Sequence, residues 1–170
     1  MVVWQGRAIS GSKDKKICVS SIVSRELETT LDGHTDPVSA LVVYRGKLLS
    51  TGWDNTIRVW ALGTWEQVRV VCVSEHVPEV LSCESLAISG SKLLCGGDLV
   101  QDEDASDEDD RDDAKKGFML VLDYEAMSCE HTLLLDYDPF CLLSRRGEVW
   151  VVSEDGPVVV WGKAEGGQGA

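Results

Sequence analysis

No stretch of the 170-residue chain approaches the ~20 consecutive apolar residues of a membrane span; uncharged runs are short and broken by Ser and Gly. The opening residues, MVVWQGRAIS, lack a basic start followed by an apolar core, so no signal peptide is expected. A clustered basic surface is missing too. Lys and Arg number 16 against 29 Asp and Glu, a net charge of −13, and nowhere do they gather as counterion release from nucleic acid requires. Direct nucleic-acid and membrane binding are therefore not expected, and the cytoplasm or the nucleus is the expected location. What is present, 44% hydrophobic residues in 170, suffices for one packed domain.

The six cysteines lack a paired C-x2-C spacing. Cys72, His76, Cys83 and Cys95 are the one set with a zinc ligand's chemistry, but their spacing fits no zinc motif, so the reading is reduced, buried thiols. No metal and no cofactor is expected.

The negative charge is concentrated. From Asp98 to Asp113 stand ten acids and one base; without them 19 acids face 15 bases, a residual of −4. The core of this run is Asp102, Glu103, Asp104, Asp107, Glu108, Asp109 and Asp110. Such a segment cannot offset its ordering entropy and reads as a disordered insertion over 98–116. It also suits a basic partner by electrostatic steering. It lacks the glycine and spaced ligands of a calcium loop. Ser106, before Asp107-Glu108-Asp109, resembles an acidophilic-kinase site, where phosphate would deepen the existing charge.

An internal repeat organises the rest. GRAISGSKDKKICVS (6–20) aligns over GKLLSTGWDNTIRVW (46–60) without gaps, sharing Gly6/Gly46, Ser10/Ser50, Asp14/Asp54, Ile17/Ile57 and Val19/Val59. A third copy starts at SKLLCGG (91–97) and resumes as FMLVL (118–122); a fourth is GEVWVVSEDGPVVVW (147–161). The units run over about 1–31, 32–73, 74–135 and 136–162, with a Gly-rich tail at 163–170.

Each unit reads as short strands. Val38–Tyr44, Lys47–Thr51 and Thr56–Ala61 are β-rich and bounded by Gly33, Asp36-Pro37, Gly46 and Asp54-Asn55. Glu26–Leu31, Glu66–Val73 and Cys129–Leu135 supply a fourth strand per unit, and no sustained 3.6-residue period appears. The class is all-β.

LDGHTDPVSALVVYRGKLLSTGWDNTIRVW (31–60) resembles a WD repeat of the β-propeller family, with its Gly33-His34 dipeptide, Asp36-Pro37-Val38 strand entry, Asp54 turn and closing Trp60. The resemblance implies about four four-stranded blades in an open arc. It implies a buried relay of His34, Ser50, Asp54 and Trp60, complete only in the second unit. The first unit has Ser10 and Asp14 but Ser20 for Trp; the third has His76, Cys95 and Leu122; the fourth has Asp155 and Trp161 but Val151 for Ser. The second unit should thus be the most rigid.

A Ser, His and Asp in one motif invite a nucleophilic reading, but they recur at repeat-fixed positions and no G-x-S-x-G elbow surrounds Ser50. The chain reads as a non-enzymatic scaffold for a protein or peptide. Its contact rim would carry Thr35, Asp36 and Trp53, since Trp53 occupies the turn position of Lys13 and Glu154 and the acidic insertion leaves from the same kind of turn. Alternatives are an acidic-loop acceptor of basic partners, in the manner of a histone chaperone, or a ubiquitin-ligase substrate adaptor. An enzyme with an axial site would need polar groups on the first strands, whereas Val38–Tyr44 and Leu86–Ile88 bring mostly apolar and small ones. Exposed blade faces at the two ends are expected to favour self-association.

Overall fold

A computed structural model of the chain describes residues 1–100, 116–137, 139–145, 148–153 and 159–161. Four antiparallel sheets follow one another along the chain. The first holds β1 (Val2–Trp4), β2 (Arg7–Gly11), β3 (Ile17–Ser21) and β4 (Leu27–Leu31); the second holds β5 (Val38–Tyr44), β6 (Lys47–Gly52), β7 (Thr56–Ala61) and β8 (Gln67–Cys72). The third holds β9 (Val80–Ser89), β10 (Lys92–Leu99), β11 (Gly117–Asp123) and β12 (Cys129–Leu135). The fourth shows β13 (Cys141–Arg145), β14 (Glu148–Val152) and β15 (Val159–Trp161) among the described residues. Every sheet is a meander in chain order, so each is a blade, and among the described residues the four form an open arc that no shared sheet closes.

Local chemistry sets this pattern. Gln5-Gly6 and Arg45-Gly46 carry φ of 44° and 74°, and 45° and 74°, the paired left-handed residues of a two-residue hairpin turn. The register repeats as well. Leu48 pairs with Trp60 and Leu93 with Leu122; Ser50 pairs with Arg58 and Cys95 with Leu120.

One face of each blade packs on the next. Ile17 joins Val38, Leu48 and Trp60 in the first interblade cluster. Ile57 joins Val80, Cys83 and Leu93 in the second, and Met119 joins Leu142, Val149 and Val151 in the third. Ile17, Ile57 and Met119 hold equivalent third-strand places and are 1%, 0% and 1% exposed. Each therefore contributes close to its full transfer free energy, about 2 kcal/mol. Their fourth counterpart by sequence, Val158, lies outside the described residues.

Two segments differ from the sequence reading. β9 runs ten residues from Val80, where only Leu86–Ile88 read as strand, and Val73–Glu75 turns as a 3-10 helix where a strand was extended to Val73. The ladder also continues through Asp98, which pairs with Gly117, and the Leu99 amide donates to the Lys116 carbonyl. What separates β10 from β11 is thus narrower than 98–116. The acidic residues Asp102, Glu103, Asp104, Asp107, Glu108, Asp109 and Asp110, and Ser106, lie outside the described residues.

Candidate functional site

The second blade holds one connected polar chain in its interior. The Trp60 indole N–H donates to Ser50 Oγ at 2.9 Å, Ser50 Oγ lies 2.7 Å from His34 Nε2, and His34 Nδ1 lies 2.8 Å from Asp54 Oδ2. Ser50 already accepts from Trp60, so its own hydroxyl proton goes to His34 Nε2, leaving Nδ1–H to donate to Asp54; this tautomer is assigned from the network. Asp54 accepts further from the Thr35 amide (3.0 Å), the Thr56 amide (3.2 Å) and the Thr56 hydroxyl (2.8 Å). Burial by itself would raise the Asp54 carboxyl, but the His34, Thr35 and Thr56 donors outweigh it and hold it at about 2. Gly33 lets the chain reach this place: a Cβ there would sit 2.9 Å from Arg58 and 3.0 Å from the Trp60 ring.

The groups are mutually satisfied, and the His34 and Asp54 side chains are each 1% exposed. A nucleophile needs access to a substrate, and Ser50 at 0% exposure has none. The chain ties the entry loop at 32–37 to the β6–β7 turn.

Among the described residues, the first and third blades lack this chain. Asp14 is exposed and accepts from the Lys16 amide within its own turn. In the third blade Cys95 stands at the Ser50 position and Leu122 at that of Trp60, both fully buried. The Cys95 thiol beside it, together with burial, pushes the Cys83 thiol well up. In the fourth, Asp155 and the side chain of Trp161 lie outside the described residues. Among the described residues, no three His, Cys, Asp or Glu side chains are grouped to hold a metal.

The relay fixes a rim. The Trp53 amide donates to the Pro37 carbonyl at 3.0 Å. Gly52 makes the approach possible, since a Cβ there would lie 2.3 Å from that oxygen. Lys15 Nζ crosses from the first blade to the Thr35 carbonyl at 2.6 Å and to Asp36 at 3.3 Å. Trp53 is left 51% exposed.

Two cavities meet at Trp53. One, about 410 Å³, is lined by Asp36, Trp53, Leu81, Ser82, Glu84 and Asp98. It brings the rim residues Asp36 and Trp53 to Asp98, where the acidic run begins. The other, about 470 Å³, lies along the inner strands, with Lys13, Pro37, Trp53, Glu84 and Phe140 on its walls. The sequence reading expected mostly apolar and small residues along this axis. Most of the lining is indeed apolar or small, Val38, Ala40, Leu41, Ser85 and Leu86 among it, and Lys13 and Glu84 add one charge of each sign. Phe140, 64% exposed, escaped notice, because it lies in a segment without a repeat match. Lys13, Trp53 and Asp98 are equivalent in register, so one rim position is a cation, an aromatic and an acid in successive blades.

Comparison with known proteins agrees with the geometry. A family model described as "WD domain, G-beta repeat" matches residues 25–61. Pre-mRNA-processing factor 19 of Bos taurus is 32% identical over 94 residues, 54% of this chain and 18% of that protein, so the chain spans less than a fifth of that relative. Among solved structures, the WD40 β-propeller domain of Doa1 is similar over 95% of this chain and 48% of that one, with TM-score 0.73 and 18% identity. U3-55K is similar over 92% of this chain and 43% of that one (TM-score 0.68, 21% identity). The computationally designed Ika4 protein is similar over 94% and 86% of the two chains (TM-score 0.66, 21% identity). Matched by the repeat model over residues 25–61 and by solved propellers along nearly its whole length, the chain carries a WD repeat and has a β-propeller fold.

Proposed function

We propose that the chain is a non-enzymatic scaffold that binds a protein or peptide on the rim formed by Thr35, Asp36 and Trp53. The observation that carries this reading is a half-exposed indole held in place from below: Trp53 sits on the Gly52–Pro37 contact beside the buried Asp54, and it walls two cavities. A large aromatic on a rigid support is the kind of side chain that dominates binding energy at interfaces. The acidic run adds a second element. Asp98, at its base, lines the cleft beside Trp53, which supports the acidic residues and the rim facing one partner, a basic one.

The test is a pull-down from native extract with the full chain, Trp53→Ala and a deletion confined to 101–115, which spares the β10–β11 ladder. Partners lost with Trp53→Ala in a folded protein carry the rim reading; partners indifferent to it overturn it. Loss on deletion alone, abolished by salt, favours the acidic-loop acceptor.

The two outward blade faces differ, which bears on self-association. Ala8, Ser20 and Arg25 stand where the second blade buries Leu48 and Trp60 and packs Trp65. The far face of the fourth blade instead keeps Leu143 and Trp150, 54% and 39% exposed. The proposal is therefore contact through the fourth blade rather than the first. Sedimentation velocity checks it: a concentration-dependent shift that Leu143→Ser/Trp150→Ser removes supports it, and a monomer throughout overturns it.

A further inference from the structure

The two cavities at Trp53 differ in chemistry while sharing walls, and that difference defines a partner. Resting on the rim reading above, we propose that this groove takes one extended peptide segment bearing an apolar side chain and an Arg or Lys side chain, seated on opposite sides of the Trp53 indole.

The apolar half lies toward the axis. Phe140 and Trp53 project from blades four and two with 64% and 51% of their surface open, and Pro37 and Leu86 line the cavity of about 470 Å³ with them. Its volume holds a large aliphatic or aromatic side chain and part of the backbone that bears it. Two exposed aromatic rings across one concavity lose solvent together when such a side chain enters, the arrangement in which apolar burial is largest for the area spent.

The cationic half lies toward the outer rim. The cleft of about 410 Å³ carries three carboxylates, Asp36, Glu84 and Asp98, around the indole. Two are engaged already: Asp36 lies 3.3 Å from Lys15 Nζ, and Asp98 accepts from Ser82 Oγ at 3.2 Å. Glu84 is only half-buried, makes no hydrogen bond or ion pair among the described residues and lines both cavities, so an incoming cation meets a carboxylate that gives up no partner there. The Trp53 indole lines the same cleft, and Arg, planar and weakly hydrated, suits a site of carboxylate plus indole better than Lys. Lys13 lines the axial cavity and not the outer cleft, so a positive side chain is directed to the side away from it. The body of the chain and its acidic run raise the local concentration of such a peptide in the same sense.

The experiment uses fluorescein-labelled twelve-residue peptide pools on a Gly/Ser background. One set fixes Phe and Arg at separations of one to four residues; control sets replace Arg by Glu, or Phe by Ser. Anisotropy titration of the full chain should give at least one Phe/Arg pool bound about tenfold or more tighter than both matched controls. Glu84→Gln should reduce the Arg-over-Glu preference by several-fold while leaving the Phe-over-Ser preference in place. Phe140→Ser should do the reverse, and Trp53→Ala should abolish both. Thermal unfolding of each variant at the wild-type midpoint separates lost binding from lost fold.

Equal binding of Arg and Glu pools, or an Arg preference unchanged by Glu84→Gln, overturns the two-sided groove. If binding in that case still falls with Trp53→Ala, the rim reading stands without its chemical code. Binding indifferent to Trp53→Ala, or no saturable binding by any pool, overturns the groove; the native-extract experiment then decides the rim separately.

Discussion

Ser50 Oγ lies 2.9 Å from the Trp60 indole nitrogen and 2.7 Å from His34 Nε2, so one fully buried hydroxyl joins the third strand of its blade to the loop that enters it. Its value depends on both partners being present. Ser50→Ala strands an indole N–H and an imidazole nitrogen in the interior and should cost about 2–3 kcal/mol. Trp60→Phe removes one donor and leaves the Ser50–His34 bond, at about 1–2 kcal/mol. A double-mutant cycle by urea unfolding should show the double variant losing about 1 kcal/mol less than the sum of the singles. Strict additivity would mean the bonds act independently.

Asp54 makes the same chain acid-sensitive. Its carboxyl is held at about 2 in the folded protein against 3.8 for the free group, so the folded state favours the ionised form. That stabilisation is fully present above about pH 4 and is lost as pH falls through 2, on the order of 2 kcal/mol in all. Asp54→Asn should be less stable at pH 7 and should flatten the stability curve between pH 4 and pH 2. A curve for Asp54→Asn parallel to wild type there would assign the acid limb to other carboxylates.

The second blade was legible because its turns are written in strong residues. Asp36-Pro37, Arg45-Gly46 and Asp54-Asn55 bound β5 and β7 at the ends expected, and the repeat put Ile17, Ile57 and Met119 into equivalent buried places. β9 was not legible over its first half. Ser82, Glu84 and Ser85 break the apolar signal: they line the rim and axial cavities, while Val80 and Cys83 in the same half-strand pack on the second blade. Polar residues that dilute a strand pattern are the ones that furnish the groove. Phe140 was hidden for the same kind of reason, since an exposed aromatic outside any repeat looks like an ordinary loop residue.

Two neighbouring glycines of the third blade give a matched test of backbone approach. A Cβ on Gly97 would lie 2.0 Å from the Ser82 carbonyl oxygen, a backbone atom that cannot yield without moving β9. On Gly96 the nearest atom is the Ser85 hydroxyl at 3.1 Å, which can rotate away. Gly97→Ala should therefore destabilise by about 2 kcal/mol or more and Gly96→Ala by clearly less. Gly52→Ala, 2.3 Å from the Pro37 oxygen, should behave like Gly97→Ala and also displace Trp53. Thermal midpoints rank the three, and a Gly96→Ala as damaging as Gly97→Ala would refute the steric account.

The cysteines supply a reading of blade stability from chemistry. Cys83 and Cys95 are fully buried, whereas Cys18, Cys72, Cys129 and Cys141 are half-buried. Only a thiolate attacks a disulfide reagent, and the Cys83 thiol is pushed up by its Cys95 neighbour and by burial, so it contributes almost no thiolate near neutrality. Under native conditions an aromatic disulfide should thus label the four half-buried thiols first. Cys83 and Cys95 should react only as fast as the second and third blades separate, because their shared cluster includes Ile57, Val59 and Val71 from the second blade. Their labelling rate should rise with urea in step with the loss of β-sheet signal. Reaction of Cys83 as fast as Cys18 in the absence of denaturant would show that the interface between these two blades opens without global unfolding, and the rigid support claimed for Trp53 would fail with it.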